Sequence, residues 1–198
     1  MEKENNSQEL AQEPNAPALI EALRRGQKFV KISKYAFAFA NDLEYWTIVN
    51  DGFRTIFHFS LYDLLRNTPR EDTEAEYIAM CYSFFDTLNT FLCKFQLEKP
   101  SKKGEKYNDV ENIKSLASGG DFIEIGNDCI AIGYEMSYWV SIYNGFQWIF
   151  GQSFFELFDF GPDRKIVDNI LMCYNFMGAV NSVIKDYLRE DNTKQEIL

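Results

Sequence analysis

The apolar residues of the chain change from a two-residue spacing to a helical spacing, and they do so twice. Around residues 28–49 and again around 121–142, apolar side chains alternate with small or polar ones, which predicts strands with one buried face. After each stretch the apolar residues recur every three or four positions, as at Cys81, Phe84 and Leu88. That spacing is typical of a helix with one apolar face. Each stretch therefore predicts strands followed by helices.

The second occurrence repeats the residues of the first as well as their pattern. When the chain is displaced by 93 positions, from 46 to 139, identical residues coincide along both stretches. The coinciding residues are Phe29, Ile32, Ala38, Tyr45, Trp46, Gly52, Phe53, Ile56, Phe57, Ser60, Leu64 and Pro69 with Phe122, Ile125, Ala131, Tyr138, Trp139, Gly145, Phe146, Ile149, Phe150, Ser153, Leu157 and Pro162. A one-residue deletion follows, after which Met80-Cys81-Tyr82 matches Met172-Cys173-Tyr174 at a displacement of 92. We therefore predict a tandem duplication.

Each predicted unit has the order α-β-β-β-α-α. A short helix ends near a glycine, three strands follow, and two helices complete the unit. The predicted strands are 28–32, 35–39 and 45–49 in the first unit, and 121–125, 129–132 and 138–142 in the second. Separate runs of strands and helices indicate an α+β fold with an antiparallel sheet. Because a small sheet has open edges, we expect the two units to pack about a pseudo-two-fold axis.

Composition marks the boundaries of the units. Residues 1–16 are polar and predict a disordered tail, and residues 98–109 form a polar linker with Pro and Gly. The two repeats are then residues 17–97 and 110–190, followed by a tail over 191–198.

The net charge of −10 is unevenly distributed between the repeats. Residues 110–190 carry eleven acidic and five basic residues, whereas residues 17–97 carry ten and nine. Nucleic-acid binding draws its affinity from Lys and Arg, so this balance argues against it. An acidic second repeat favours a basic protein partner instead.

The chain contains few residues that could form a catalytic, metal or cofactor site. His58 is the single histidine, and its counterpart in the second repeat is Gly151. The four cysteines form no C-x-x-C pair, and no Gly-rich phosphate loop is present. We therefore expect no metal, no cofactor and no catalytic residues. The absence of a signal core or a long apolar run predicts a cytoplasmic chain with reduced thiols and no membrane association.

The candidate contact residues combine the acids and the duplicated aromatic pairs. They are Asp121, Glu124, Asp128, Glu135, Tyr138, Trp139, Tyr45 and Trp46. In each Tyr-Trp pair we expect one ring in the core and the other available to a partner. Lys28 and Lys31 correspond to Asp121 and Glu124, so either the two strands lie side by side and pair opposite charges or the repeats face different partners.

These observations favour a non-enzymatic protein-binding module. The most specific expectation is an acidic inhibitor, of the immunity or anti-defence type, that covers a basic surface of a target protein. An enzyme or ligand-binding domain with a cleft between the repeats, using carboxylates and tyrosines, is the alternative. A structural subunit of a larger assembly is another, and a homo-oligomer is compatible with all three.

Overall fold

A computed structural model describes residues 16–25, 29–33, 36–67, 72–98, 109–117, 122–125, 129–159 and 163–195. The first half contains α1 (Ala16–Arg24), β1 (Val30–Ser33), β2 (Ala36–Asp42), α2 (Leu43–Asn67) and α3 (Asp72–Glu98). The second half contains α4 (Asp109–Ala117), β3 (Phe122–Ile125), β4 (Cys129–Tyr134), α5 (Met136–Asp159) and α6 (Arg164–Gln195). The order α-β-β-α-α therefore occurs twice along the described chain.

The strands form one four-stranded antiparallel sheet in the order β1-β2-β4-β3. Within the hairpins Val30 pairs with Ala38, and Ile123 pairs with Ala131, so the two registers are displaced by the same 93 positions. The hairpins join at the centre, where Phe39 of β2 pairs with Ile132 of β4. Phe39 and Ile132 are themselves 93 positions apart, so the central pairing is symmetric about them.

Helices cover both faces of this sheet. The large side chains of the central strands, such as Phe39 and Ile132, are buried with those of α2, α3, α5 and α6. The small ones, such as Ala38 and Ala131, are buried with apolar residues of α1 and α4. Alternation along the strands therefore assigns bulky residues to the thick helical layer and small residues to the thin one.

The long helices pack mainly across the two halves, α2 against α6 and α3 against α5. Gly52 of α2 lies so close to α6 that a Cβ atom there would overlap the backbone carbonyl of Asn169. Gly145 of α5 has the same relation to the carbonyl of Tyr77 on α3. Glycine at these two positions therefore allows both crossings to be tight.

The α+β class and the antiparallel sheet are confirmed. The long helices bury apolar residues on one face, and these residues include Phe53, Ile56, Phe57, Phe84, Leu88, Phe146, Ile149, Phe150, Phe176 and Val180. None of the helices in the described ranges is long and apolar enough to cross a membrane.

The predicted third strand of each unit is wrong. Residues 45–49 and 138–142 lie in the first turns of α2 and α5. The Asp42 carboxylate accepts a hydrogen bond from the backbone N–H of Tyr45 at 2.7 Å and thus caps the start of α2. Trp46, Val49 and Phe53 then fall on one buried face at helical spacing. Aromatic and β-branched residues there serve helix packing, although their type favours strands.

The predicted pairing of opposite charges between equivalent strands is also wrong for the described residues. Lys31 is on β1 and Glu124 is on β3, and these strands form opposite edges of the sheet. Lys28 and Asp121 lie outside the described residues, as do the tail 1–15 and most of the linker. The predicted C-terminal tail begins within α6, which continues to Gln195.

Candidate functional site

The acidic residues expected to contact a partner lie at different places on the second half. Glu135 is exposed between β4 and α5, where its carboxylate accepts a hydrogen bond from the Ser137 hydroxyl at 2.6 Å. Glu124 is on β3 opposite Ile130, about 17 Å along β4 from Glu135 at the usual strand rise. Asp121 and Asp128 lie outside the described residues. Glu124 and Glu135 thus lie at separate positions along the sheet and do not form a compact cluster.

The two tryptophans of the predicted contact set belong to the core. Trp46 and Trp139 are both fully buried. The Trp46 indole N–H donates to the carbonyl of Ile130 at 3.0 Å, which ties α2 to the strand of the other half. The indole N–H of Trp139 has no acceptor within the described part of the chain. Neither ring reaches the surface, so neither is available as an anchor for a partner.

The tyrosines of the same pairs are half-buried and adjoin the surface. The ring of Tyr138 stacks on that of Tyr134, with centroids 4.2 Å apart and planes at 23°. Burial, with smaller contributions from Cys173 and Asp42, raises the pKa of Tyr45 to about 12. Tyr45 is therefore neutral at physiological pH. Tyr138 and Glu135 are the predicted contact residues that the structure brings together, at the start of α5.

Sequence analysis considered a cleft between the repeats but did not identify the residues that line the open cleft of about 940 Å³ between the two halves. One wall is α2, another is α3, and the start of α6 closes one side. The lining residues are Asp51, Phe53, Arg54, Thr55, Phe57, His58, Tyr82, Phe85, Asp86, Asn89, Asp163, Lys165, Ile166 and Asn169. Carboxylates, cations and aromatic rings from three helices thus converge on one space, which is the usual character of a ligand site.

The positions of these side chains follow from helix geometry. Asp51, Arg54, Thr55 and His58 recur at three- and four-residue intervals and so share one face of α2. Stacked rings of Phe53 and Phe85, with centroids 3.4 Å apart, lie below them.

Two further contacts fix the other walls of the cleft. Asp163 caps α6, since its carboxylate accepts a hydrogen bond from the backbone N–H of Lys165 at 3.1 Å. The side-chain oxygen of Asn89 on α3 accepts a hydrogen bond from the side-chain amide of Asn50 at 3.0 Å. Asp163 and Asn89 are therefore held in place by these hydrogen bonds.

Within the described part of the chain, no three His, Cys, Asp or Glu side chains lie close enough together to hold one metal ion. Two basic residues of the first half have partners in the described part of the chain. Arg25 pairs with Glu21 at 2.8 Å, and the ammonium of Lys31 lies 5.8 Å from the ring centre of Tyr187.

The four thiols differ sharply in accessibility. Burial raises the pKa of Cys81 and of Cys173 well above the usual range, while Cys93 is exposed and Cys129 is half-buried. Because the thiolate is the nucleophile, we expect Ellman's reagent at pH 8 to modify Cys93 first and Cys129 more slowly. Cys81 and Cys173 should react only after unfolding in urea. Rapid reaction of all four thiols in native buffer would contradict the buried positions.

Neither the cleft nor the acidic surface can be assigned by similarity, because no protein-family model, curated protein or solved structure matches the chain.

Proposed function

We propose that the chain is a non-enzymatic binding protein whose acidic second half covers a basic surface of a target protein, in the manner of an immunity or anti-defence inhibitor. The observation that carries this proposal is the difference in charge between two halves with the same order of elements. Residues 110–190 have an excess of six acidic residues, eleven against five, and residues 17–97 have an excess of one, ten against nine.

The excess acids are placed where a partner could meet them. Within the described part of the second half, the exposed acidic residues include Glu135, Asp163, Asp168, Asp186 and Glu190. The first half forms the same elements with nearly balanced charge, so folding does not require the excess. Exposed charges of one sign steer a partner of opposite sign and raise the association rate. This supports a basic protein as the partner.

We further propose that the two halves arose by tandem duplication and pack about a pseudo-two-fold axis. The shared element order and the equal displacement of the hairpin registers support this. So does the symmetric pairing of β2 with β4, since two-fold interfaces place equivalent residues opposite each other. The close helix contacts at Gly52 and Gly145 also support it, because the two glycines occupy equivalent positions in the two halves.

We propose that the protein acts in the cytoplasm. Cys81, Cys93, Cys129 and Cys173 are free thiols. Thiols remain free in reducing compartments, whereas oxidising compartments favour disulfides.

The electrostatic proposal is tested with a partner captured at low salt from a lysate of the source cells. The binding of that partner is compared between the parent protein and a variant of the protein with reversed charges. Replacing Asp121, Glu124 and Asp128 by lysine should slow association by about tenfold or more and flatten its dependence on salt, because rim charges act mainly on the association rate. Surface plasmon resonance from about 50 to 500 mM salt, spanning strong to weak screening, measures both quantities.

The matched control makes the same charge change on the first half, by replacing Glu44, Glu74 and Glu76 with lysine. That variant should associate at close to the rate of the parent. Equal slowing by both variants would show a net-charge effect without a docking surface. Binding that is indifferent both to salt and to the first reversal would contradict electrostatic docking altogether.

A further inference from the structure

The cleft between α2, α3 and the start of α6 has a counterpart position on the other half. By sequence correspondence the counterpart is bounded by α5, α6 and the start of α3. One aromatic pair is common to both positions. Tyr82 lies against Phe57 with ring centroids 5.1 Å apart, and Tyr174 lies against Phe150 at 5.4 Å. Both tyrosines are 46% exposed. The apolar framework is thus present twice.

Four ionisable residues of the cleft have no ionisable counterpart in the other half. Asp51, Arg54, His58 and Asp86 correspond to Asn144, Gln147, Gly151 and Gly178. Since the second half forms the same elements without these charges, the fold does not require them. Ionisable groups that a fold does not need, gathered in one cleft, are candidates for a function in binding.

Among the described residues, two carboxylates of the cleft, Asp51 and Asp86, are also not paired with its arginine and lysine. In the described part of the chain, no ion pair joins Asp51 or Asp86 to Arg54 or Lys165, although all four line the same space. One oxygen of Asp163 is occupied in capping α6. Both carboxylates and cations therefore remain available to a molecule in the cleft.

We propose that this cleft binds a dipolar ligand, one that carries a cationic and a carboxylate group on either side of an apolar group, as a short zwitterionic peptide does. Asp51 and Asp86 would receive the ammonium group, and Arg54 and Lys165 the carboxylate. The apolar side chain would lie over Phe53 and Phe85 beside Tyr82. A volume of about 940 Å³ suits a ligand of a few residues better than a single ion. Asp163 is the one residue that this cleft lining shares with the acidic residues named for the docking surface.

The ligand class is tested with three forms of one peptide. Free Ala-Phe-Ala carries both charges, its N-acetyl form lacks the ammonium, and its C-terminal amide lacks the carboxylate. In a ¹H–¹⁵N titration, the free peptide should shift backbone amides of residues 51–58, 82–89 and 163–169. Each blocked form should bind about tenfold more weakly, the scale of one lost hydrogen bond to a charged group.

Variants assign each charge to its side of the cleft. Asp51→Asn combined with Asp86→Asn should weaken the free peptide to the level of its N-acetyl form, and leave binding of the N-acetyl form unchanged. Arg54→Gln, which installs the residue of the second half, should weaken the free peptide and spare the amide. Asp168→Asn, exposed on α6 and outside the cleft lining, should change nothing. Thermal unfolding of each variant checks that the fold is intact.

Equal binding of all three peptides, shifts outside the three segments, or no shifts at millimolar peptide would overturn the proposal. So would full affinity in the Asp51→Asn, Asp86→Asn variant. These measurements use no protein partner, so their failure leaves the electrostatic proposal standing. Salt-insensitive capture of the partner would likewise leave the cleft proposal standing.

Discussion

Replacing Gly52 with alanine should lower the free energy of unfolding by about 3 kcal/mol or more, the upper end of the range for overpacked sites. The added methyl group would overlap the backbone carbonyl of Asn169, and a backbone atom cannot rotate away as a side chain can. Helices α2 and α6 would have to separate along their shared interface. Gly145→Ala should act in the same way on α5 and α3. Urea unfolding followed by circular dichroism measures both effects.

Two other glycines provide the control for this prediction. At Gly151 on α5 and Gly178 on α6, an added Cβ atom would meet no other atom within 4 Å. Alanine there should stabilise the protein by up to about 1 kcal/mol, because alanine is the better helix former. If all four substitutions stabilise the protein, the close approach of α2 to α6 and of α5 to α3 is contradicted.

Truncating Phe176 to alanine should destabilise the protein by about 3–5 kcal/mol, the usual cost of removing a fully buried phenylalanine. The Phe176 side chain is fully buried on α6, with its ring centre 4.9 Å from that of Phe39 and 5.1 Å from that of Trp46. It therefore joins the second half to the strand and helix of the first. Removing it leaves a cavity at the centre of the thick helical layer.

The neighbouring Tyr174→Ala variant gives the comparison. Tyr174 is on the same helix but 46% exposed, so its truncation should cost about 1–2 kcal/mol, well below that of a buried ring. Chemical unfolding of both variants under the same conditions decides between them. Equal losses would show that Phe176 does not occupy the core.

The sequence permits the layers of the fold to be predicted because burial follows the spacing of side chains. Phe37 and Phe39 alternate with Ala38 and Ala40, and this alternation predicts a strand. The prediction that only one face of the sheet is buried is wrong, because the face with the small side chains is buried against α1 and α4. The apolar stripe of α3 likewise predicts its buried face at Cys81, Phe84 and Leu88. These features depend on local periodicity alone.

Local features of the predicted third strand favour a strand as well as a helix that begins after Asp42. Tyr45, Trp46 and Val49 are of residue types that favour strands, and Asn50-Asp51-Gly52 resembles a turn. What decides the outcome is a distant contact, because Gly52 lies in a helix interior where α6 approaches most closely. The backbone that Gly52 meets there is 117 positions away along the chain, from 52 to 169.

The incorrect third strand also prevents the lining residues of the cleft from being grouped together. Interpreting residues 50–52 as a turn separates Asp51 from Arg54 and His58, although all three share one face of α2. The remaining lining residues come from α3 and α6, and only the packing of the halves brings them together. The loss of charge at Asn144, Gln147 and Gly178 is visible when the two halves are aligned. It is the one sequence signal that could have indicated the site.

The central pairing of β2 with β4 has a consequence for how the protein responds to dilution. A chain ending after α3 would leave β2 without β4 and α2 without α6. Two such chains could supply these contacts to each other as a dimer. That dimer would dissociate at low concentration. Here residues 98–109 connect the two halves, so their association is intramolecular and proceeds at a high effective concentration. The fold is thereby made independent of how many copies of the protein a cell contains.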